Sequence, residues 1–278
     1  MAYPTVSAPY GLKPINLIGG QVFAGSTRLL PIPYNYNTNI YYGDVVAIVR
    51  GFVAPFTGTT TFNSQTVVGI FLGCQFTNPV TKQLTFSQYY PASTTAGDIQ
   101  AVICDDPDTV FKAAVCPSGS TTVTSASYAM VGQNAPLVQN TGSASTGNSA
   151  VAVQSQASVG ANATYPVRIV GIVPDTANAL GTAVYSSIST ATITATANVG
   201  FAVPVGTDVS WIAPNGSVVE TGSFVATAIV ANNTTSIVLN AAPQQTIGAS
   251  ATLVFTQYPE VLVKLQFGLH EYYAAAAV

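Results

Sequence analysis

Asp105, Asp106 and Asp108 stand within four positions of ICDDPDTVF (103–111), in a chain with only ten acidic residues. Three carboxylates that close together suit a Ca²⁺ loop, an acid–base pair, or a turn. An EF-hand loop needs a D-x-[DN]-x-[DN]-G run closed by Glu at its twelfth position. Pro107 interrupts that spacing and no such Glu follows. Paired catalytic carboxylates need a pocket that pushes their pKa values apart, and nothing in the flanking residues indicates one. A β-turn around Pro107, with the aspartates accepting from nearby N–H groups, is the expected reading.

The other chemistry-bearing residues are sparse. His270 is the only histidine, so any Ser-His-Asp or Cys-His system would have to use it. It lies in QFGLHEYY, an alternating pattern near the C-terminus, and reads as a structural or interface residue. Cys74, Cys104 and Cys116 are odd in number and form no C-x-x-C pair. They lack zinc-ligand spacing and a disulfide framework; Cys74 and Cys104, in apolar runs, read as small buried hydrophobes. No P-loop, dinucleotide-binding or H-E-x-x-H motif occurs. The expectation is no catalytic residue, no metal, no cofactor and no enzyme activity.

The elements that carry these residues are strands. Val, Ile, Thr, Tyr and Phe runs are punctuated by Gly, Pro, Asn and Asp at short intervals. YYGDVVAIVRGFVAP (41–55) reads as turn, buried strand, then a break at Gly51. TVVGIFLGCQF (66–76), IQAVICDD (99–106) and YPVRIVGIVPD (165–175) repeat the style, and TVFKAAV (109–115) returns after the Asp-Pro turn. Residues 117–163 are low in complexity and rich in Ser, Thr, Gly and Ala, but alternation in AVAVQSQASV (150–159) favours β structure with long loops over disorder. The fold class expected is all-β: an antiparallel sandwich or barrel core with a small inserted β module. Residues 1–185 and 258–278 would form the core, and 186–257 the module. Asn215-Gly216 marks a hairpin in that module and Trp211, the only tryptophan, is expected to anchor its interior.

Composition narrows the function. Charged residues are 6% of the chain, against roughly 25% in ordinary soluble domains. None occurs between Lys112 and Arg168, or from 221 to 259. Seven dispersed basic residues and a net charge of −3 disfavour a nucleic-acid partner, which needs clustered Lys and Arg. Apolar runs are strand length, short of a membrane-spanning helix, and MAYPTVSAPYG has no secretory leader pattern. A chain so poor in charge has weak colloidal protection unless its surface is covered by other subunits. An assembly component is therefore expected.

The aromatic clusters are the candidate interface. Tyr34, Tyr36, Tyr41 and Tyr42 lie in PYNYNTNIYYG (33–43), and Tyr89 and Tyr90 in FSQYYPAST (86–94). Tyr3, Pro4, Pro9 and Tyr10 belong to an N-terminal arm that would clamp a neighbour. Tyrosine clusters also build ordinary sheet cores and stack on sugar rings, so the alternatives stay open.

Seven stretches, in order, resemble a family of tailed-phage (marine/cyanophage-like) virion structural proteins. They are VSAPYGLKPINLIGG (6–20), GDVV (43–46), VVGIFLGCQFTN (67–78), FSQYYPAST (86–94), AVICDDPDTVFK (101–112), VRIVGIVPDTANALGTAVYSSI (167–188) and VLVKLQFGLHEYY (261–273). Thr176 stands where that family often has Asn, Tyr90 where it often has Trp, and 186–257 is extra. The resemblance implies a capsid decoration (cement) protein. It would sit on the outer capsid surface of the virion, assembled in the host cytoplasm, with the major capsid protein and itself as partners. A homotrimer is expected from the local three-fold axes of a shell, and from no residue. A tail fibre, spike or adhesin-like role is the alternative.

Overall fold

Arg50 and Gly51 both take positive φ (53° and 85°), which lets two strands fold back on each other with the twist a two-residue hairpin requires. The strands are β3 (Val45–Val49) and β4 (Phe52–Pro55). They belong to one of three sheets in a computed structural model that describes residues 6–18, 20–58, 66–155, 159–230, 234–248 and 250–273. The chain is all-β, 46% strand, with no helix of seven residues or more among the described residues; one sheet is nearly closed and barrel-like, and another is a half-barrel.

The first sheet joins β2 (Arg28–Pro31), β7 (Gln100–Cys104), β5 (Val67–Thr77), β3 and β4, with β6 (Leu84–Ser87) paired to the far end of β5. The second joins β10 (Leu137–Val138), β11 (Ala152–Gln154), β8 (Thr109–Cys116), β19 (Glu260–Leu265), β12 (Val167–Ile172) and β9 (Asn134–Ala135), with β1 (Lys13–Leu17) also on β8. Among the described strand pairs, β8–β11 alone is parallel. A shared core lies between these two sheets: Val45, Val67 and Ile70 from one side meet Phe111, Ile169 and Val263 from the other. The opposite face of the first sheet packs a core of its own around Phe71, Ile103 and Tyr90.

The Asp-rich corner joins the two sheets. β8 does not return alongside β7, as the sequence pattern suggested; it leaves the first sheet and becomes a central strand of the second. β8 buries all but one of its side chains and β7 three of five, so periodicity alone could not distinguish a hairpin from a sheet crossover.

The third sheet is a unit with its own core. Its order is β16 (Val218–Phe224), β15 (Asp208–Ile212), β18 (Thr252–Gln257), β13 (Asn178–Ser189), β14 (Thr192–Ala195) and β17 (Ser236–Val238). It grows from a hairpin: β12 pairs with β19 up to Ile172↔Val261, and the ladder resumes at Asn178↔Gln257 in β13 and β18. A module entering and leaving through adjacent strands can be inserted without disturbing the body. The boundary expected at 186 falls inside β13, because Leu180, Ala183 and Tyr185 already pack in the module core. Trp211 is fully buried there, edge-on to Tyr185 at 5.5 Å. Asn215-Gly216 turns the β15–β16 hairpin, with Gly216 at φ 84°.

Candidate interaction surface

The three aspartates diverge. Asp106 accepts from the Asp108 N–H at 2.8 Å, which closes the turn before β8. Asp105 pairs with Arg28 Nε at 2.8 Å and accepts from the Tyr272 hydroxyl, which in turn accepts from Arg28. Asp108 takes Lys264 Nζ at 2.7 Å. The corner therefore ties β2, β19 and the C-terminal turn together at one point. Among the described residues no group of three His, Cys, Asp or Glu side chains could hold a metal ion.

His270 is buried, and burial holds its imidazole below the ordinary histidine range. Its Nδ1 accepts from the Tyr272 N–H at 3.3 Å, and Glu271 N donates to Val67 O at 2.8 Å. These bonds fasten the C-terminal segment to the start of β5. Cys74, Cys104 and Cys116 are all buried and free. Burial pushes their thiols up to about 12, 11 and 11, well away from a reactive thiolate.

Of the tyrosines proposed as an interface, Tyr41 and Tyr90 are buried, and Tyr10, Tyr36, Tyr42 and Tyr89 are half-buried with contacts inside the chain. Tyr90 is fully buried and donates its hydroxyl to Tyr36 O at 3.0 Å. Tyr41 is buried, stacked on Tyr89 with ring centroids 5.7 Å apart, and its N–H donates to Asp44 at 2.8 Å. Tyr42, half-buried, is held by bonds to Gly147 and Ser149. Pro9 is buried as well. Tyr34, 65% exposed, is the one member of the set that faces outward freely. Tyr3 and Pro4 lie outside the described residues.

Tyr10 is a clasp. Lys13 and Lys112 sit directly opposite in the β1–β8 register, an unfavourable pairing of like charges. The Tyr10 ring lies under both ammonium groups, at 4.6 and 5.9 Å, and its hydroxyl donates to buried Glu260. Lys112 reaches the same carboxylate at 3.4 Å. Burial, then the Glu260 contact, raises the phenol well above its ordinary value.

Several large apolar side chains remain accessible. Leu29, Leu84 and Phe86, on strands of the first sheet, are 47%, 58% and 72% exposed. Val80, at the tip of the β5–β6 turn, is 85% exposed. Phe86, Tyr42, Leu72, Gly73 and Val102 border an open cavity of about 520 Å³. Alternation in LTFS after the polar turn NPVTKQ was the available signal for this face; the tyrosine count drew attention elsewhere. Charges are rarer at the surface than the composition alone implies. Asp44, Asp208 and Glu260 are buried, while Arg28, Lys112 and Lys264 are each paired with an acid.

The chain matches no protein family model, no curated protein and no solved structure. Its functional reading therefore rests on the geometry above and on the ordered motifs.

Proposed function

We propose that the chain is a structural protein of a tailed-phage virion: a capsid decoration protein that binds the outside of the head, bridges capsomers and resists the pressure of packaged DNA. One observation carries the reading. Three of the ten acidic side chains are buried and three of the seven basic ones are held in internal ion pairs, while apolar side chains such as Phe86, Val80 and Leu84 stand in contact with water. Covering apolar surface yields about 25 cal/mol per Å², so a modest contact repeated over many copies reinforces a shell strongly. The major capsid protein is the partner this role requires. The module, carried on a hairpin stem away from the shared core, is free to face outward.

The test is to heat particles that contain the protein beside particles stripped of it, and to follow DNA release. Decoration predicts release at a lower temperature from stripped particles. Identical release temperatures contradict it, and recovery of the protein with tails rather than heads would favour a fibre or spike role.

A further inference from the structure

We propose that residues 267–273 form a latch on the first sheet that acid releases, with His270 as its sensor. The segment lies on the side of β5 away from β3, past the point where β7 ends at Cys104. There His270 bridges Val67 in parallel register, and Glu271 N donates to Val67 O at 2.8 Å. The latch thus covers a piece of strand edge that β7 leaves open. Three more bonds hold it closed. Tyr273 N donates to His270 O at 2.9 Å, Tyr272 N to His270 Nδ1 at 3.3 Å, and the Tyr272 hydroxyl to Asp105.

The imidazole fits this position only when neutral. Nδ1 accepts the Tyr272 N–H, so it carries no proton, and the neutral ring keeps its proton on Nε2. His270 is 1% exposed, and Nε2 is buried with no partner in hydrogen-bonding geometry among the described residues. A second proton has to go to Nδ1. It would point at the Tyr272 N–H, donor against donor, and the new charge would be sealed from water. One proton therefore removes a latch bond and creates a buried cation.

The charged groups around the ring do not rescue that cation. Asp105 and Asp106 approach from the β7–β8 corner and favour it, Asp105 through its backbone as well as its charge, while Lys264 of β19 opposes it. The Asp105 carboxylate is already taken by Arg28 of β2 and by the Tyr272 hydroxyl. Asp106 accepts from the Asp108 N–H, and Lys264 pairs with Asp108. β5 meets the latch at apolar Val67. On the segment itself, Glu271 precedes Tyr272 and Tyr273, whose rings lie 4.9 and 6.1 Å from the imidazole. Burial outweighs the aspartates and holds the imidazole below the ordinary histidine range. A base whose pKa is lower in the closed state takes up its proton more readily when the latch opens. Closure is therefore complete above the ordinary value of about 6.5 and weakens as pH falls through it toward the lowered one. Opening frees the edge at Val67 and unties Arg28 and Asp105 from Tyr272. The inference stands independently of the shell reading.

Two measurements on the full chain test it. Because His270 is the only histidine, its ring gives one imidazole signal by proton NMR, and this should titrate below the ordinary range. Hydrogen exchange, corrected for the intrinsic rate at each pH, should show protection of 267–273 falling between pH 7.5 and pH 5. One linked proton allows a fall of up to about tenfold per pH unit. β5 and β8 should keep their protection. His270→Asn retains an acceptor for the Tyr272 N–H and cannot titrate, so protection of the segment should no longer depend on pH. An imidazole that titrates at or above the ordinary value overturns the proposal. So does segment protection that is equal at the two pH values, that falls equally in His270→Asn, or that falls only together with β5 and β8. Should the variant fail to fold, the wild-type titration and exchange decide alone.

Discussion

Asp208 opens β15 with a buried carboxyl group, and its Oδ1 has no hydrogen-bond partner within the protein. None of the ion pairs among the described residues includes it. Burial raises its pKa from 3.8 to about 6. A carboxyl group raised in this way stabilises the fold fully below its unfolded pKa, and that stability is lost as pH rises through the folded value. A shift of this size corresponds to about 3 kcal/mol. The module should therefore be most stable near pH 4 and weaker by that amount at pH 8. Asp208→Asn removes the ionisation and leaves a neutral amide to desolvate, at about 1 kcal/mol. The variant should gain about 2 kcal/mol at pH 8, or roughly 10 °C in the melting temperature of a unit this small. Trp211 lies three residues along the same strand and is the only tryptophan, so its fluorescence reports on this module. Thermal melts at pH 5 and pH 8, wild type against Asp208→Asn, isolate the effect from other titrations. Equal wild-type and variant differences between the two pH values would refute the argument.

Other outcomes follow from contacts elsewhere. Gly69→Ala would place a Cβ 2.2 Å from Cys104 O in the adjacent strand, so it should cost about 3 kcal/mol by denaturant melts or prevent folding. Tyr10→Phe removes the donor to buried Glu260 and should cost about 2 kcal/mol, measured the same way. Asp105→Asn should change stability by less than about 1 kcal/mol, because Arg28 is substantially exposed and water screens the pair. A thiol reagent should label no cysteine of the native chain and three after unfolding, read by absorbance.

The elements themselves were legible because their signals are local. Alternation, β-branched runs and Gly turns marked β3, β5, β7 and β12 closely, and Asn215-Gly216 marked its hairpin. The path between sheets was not, since a buried strand has the same pattern whether its neighbour is the preceding strand or one 150 residues away, as with β8 and β19. The module boundary was set late because β13 runs as one strand from Asn178 to Ser189, straight through the expected boundary. The interface tyrosines show a further limit. A Tyr beside a Pro or Asn has the same identity whether its ring is stacked on Tyr89, as Tyr41 is, or open to water, as Tyr34 is. Only the three-dimensional path separates the two, and it moved the accessible apolar surface to Leu29, Leu84 and Phe86.

The most direct test of the shell-binding account is a density map of the intact virion that carries this chain. The account predicts the three-sheet body in many copies on the outer face of the head, with an apolar face covered by a neighbouring protein. Density for this fold confined to the tail, or mature particles that lack the protein altogether, would contradict it.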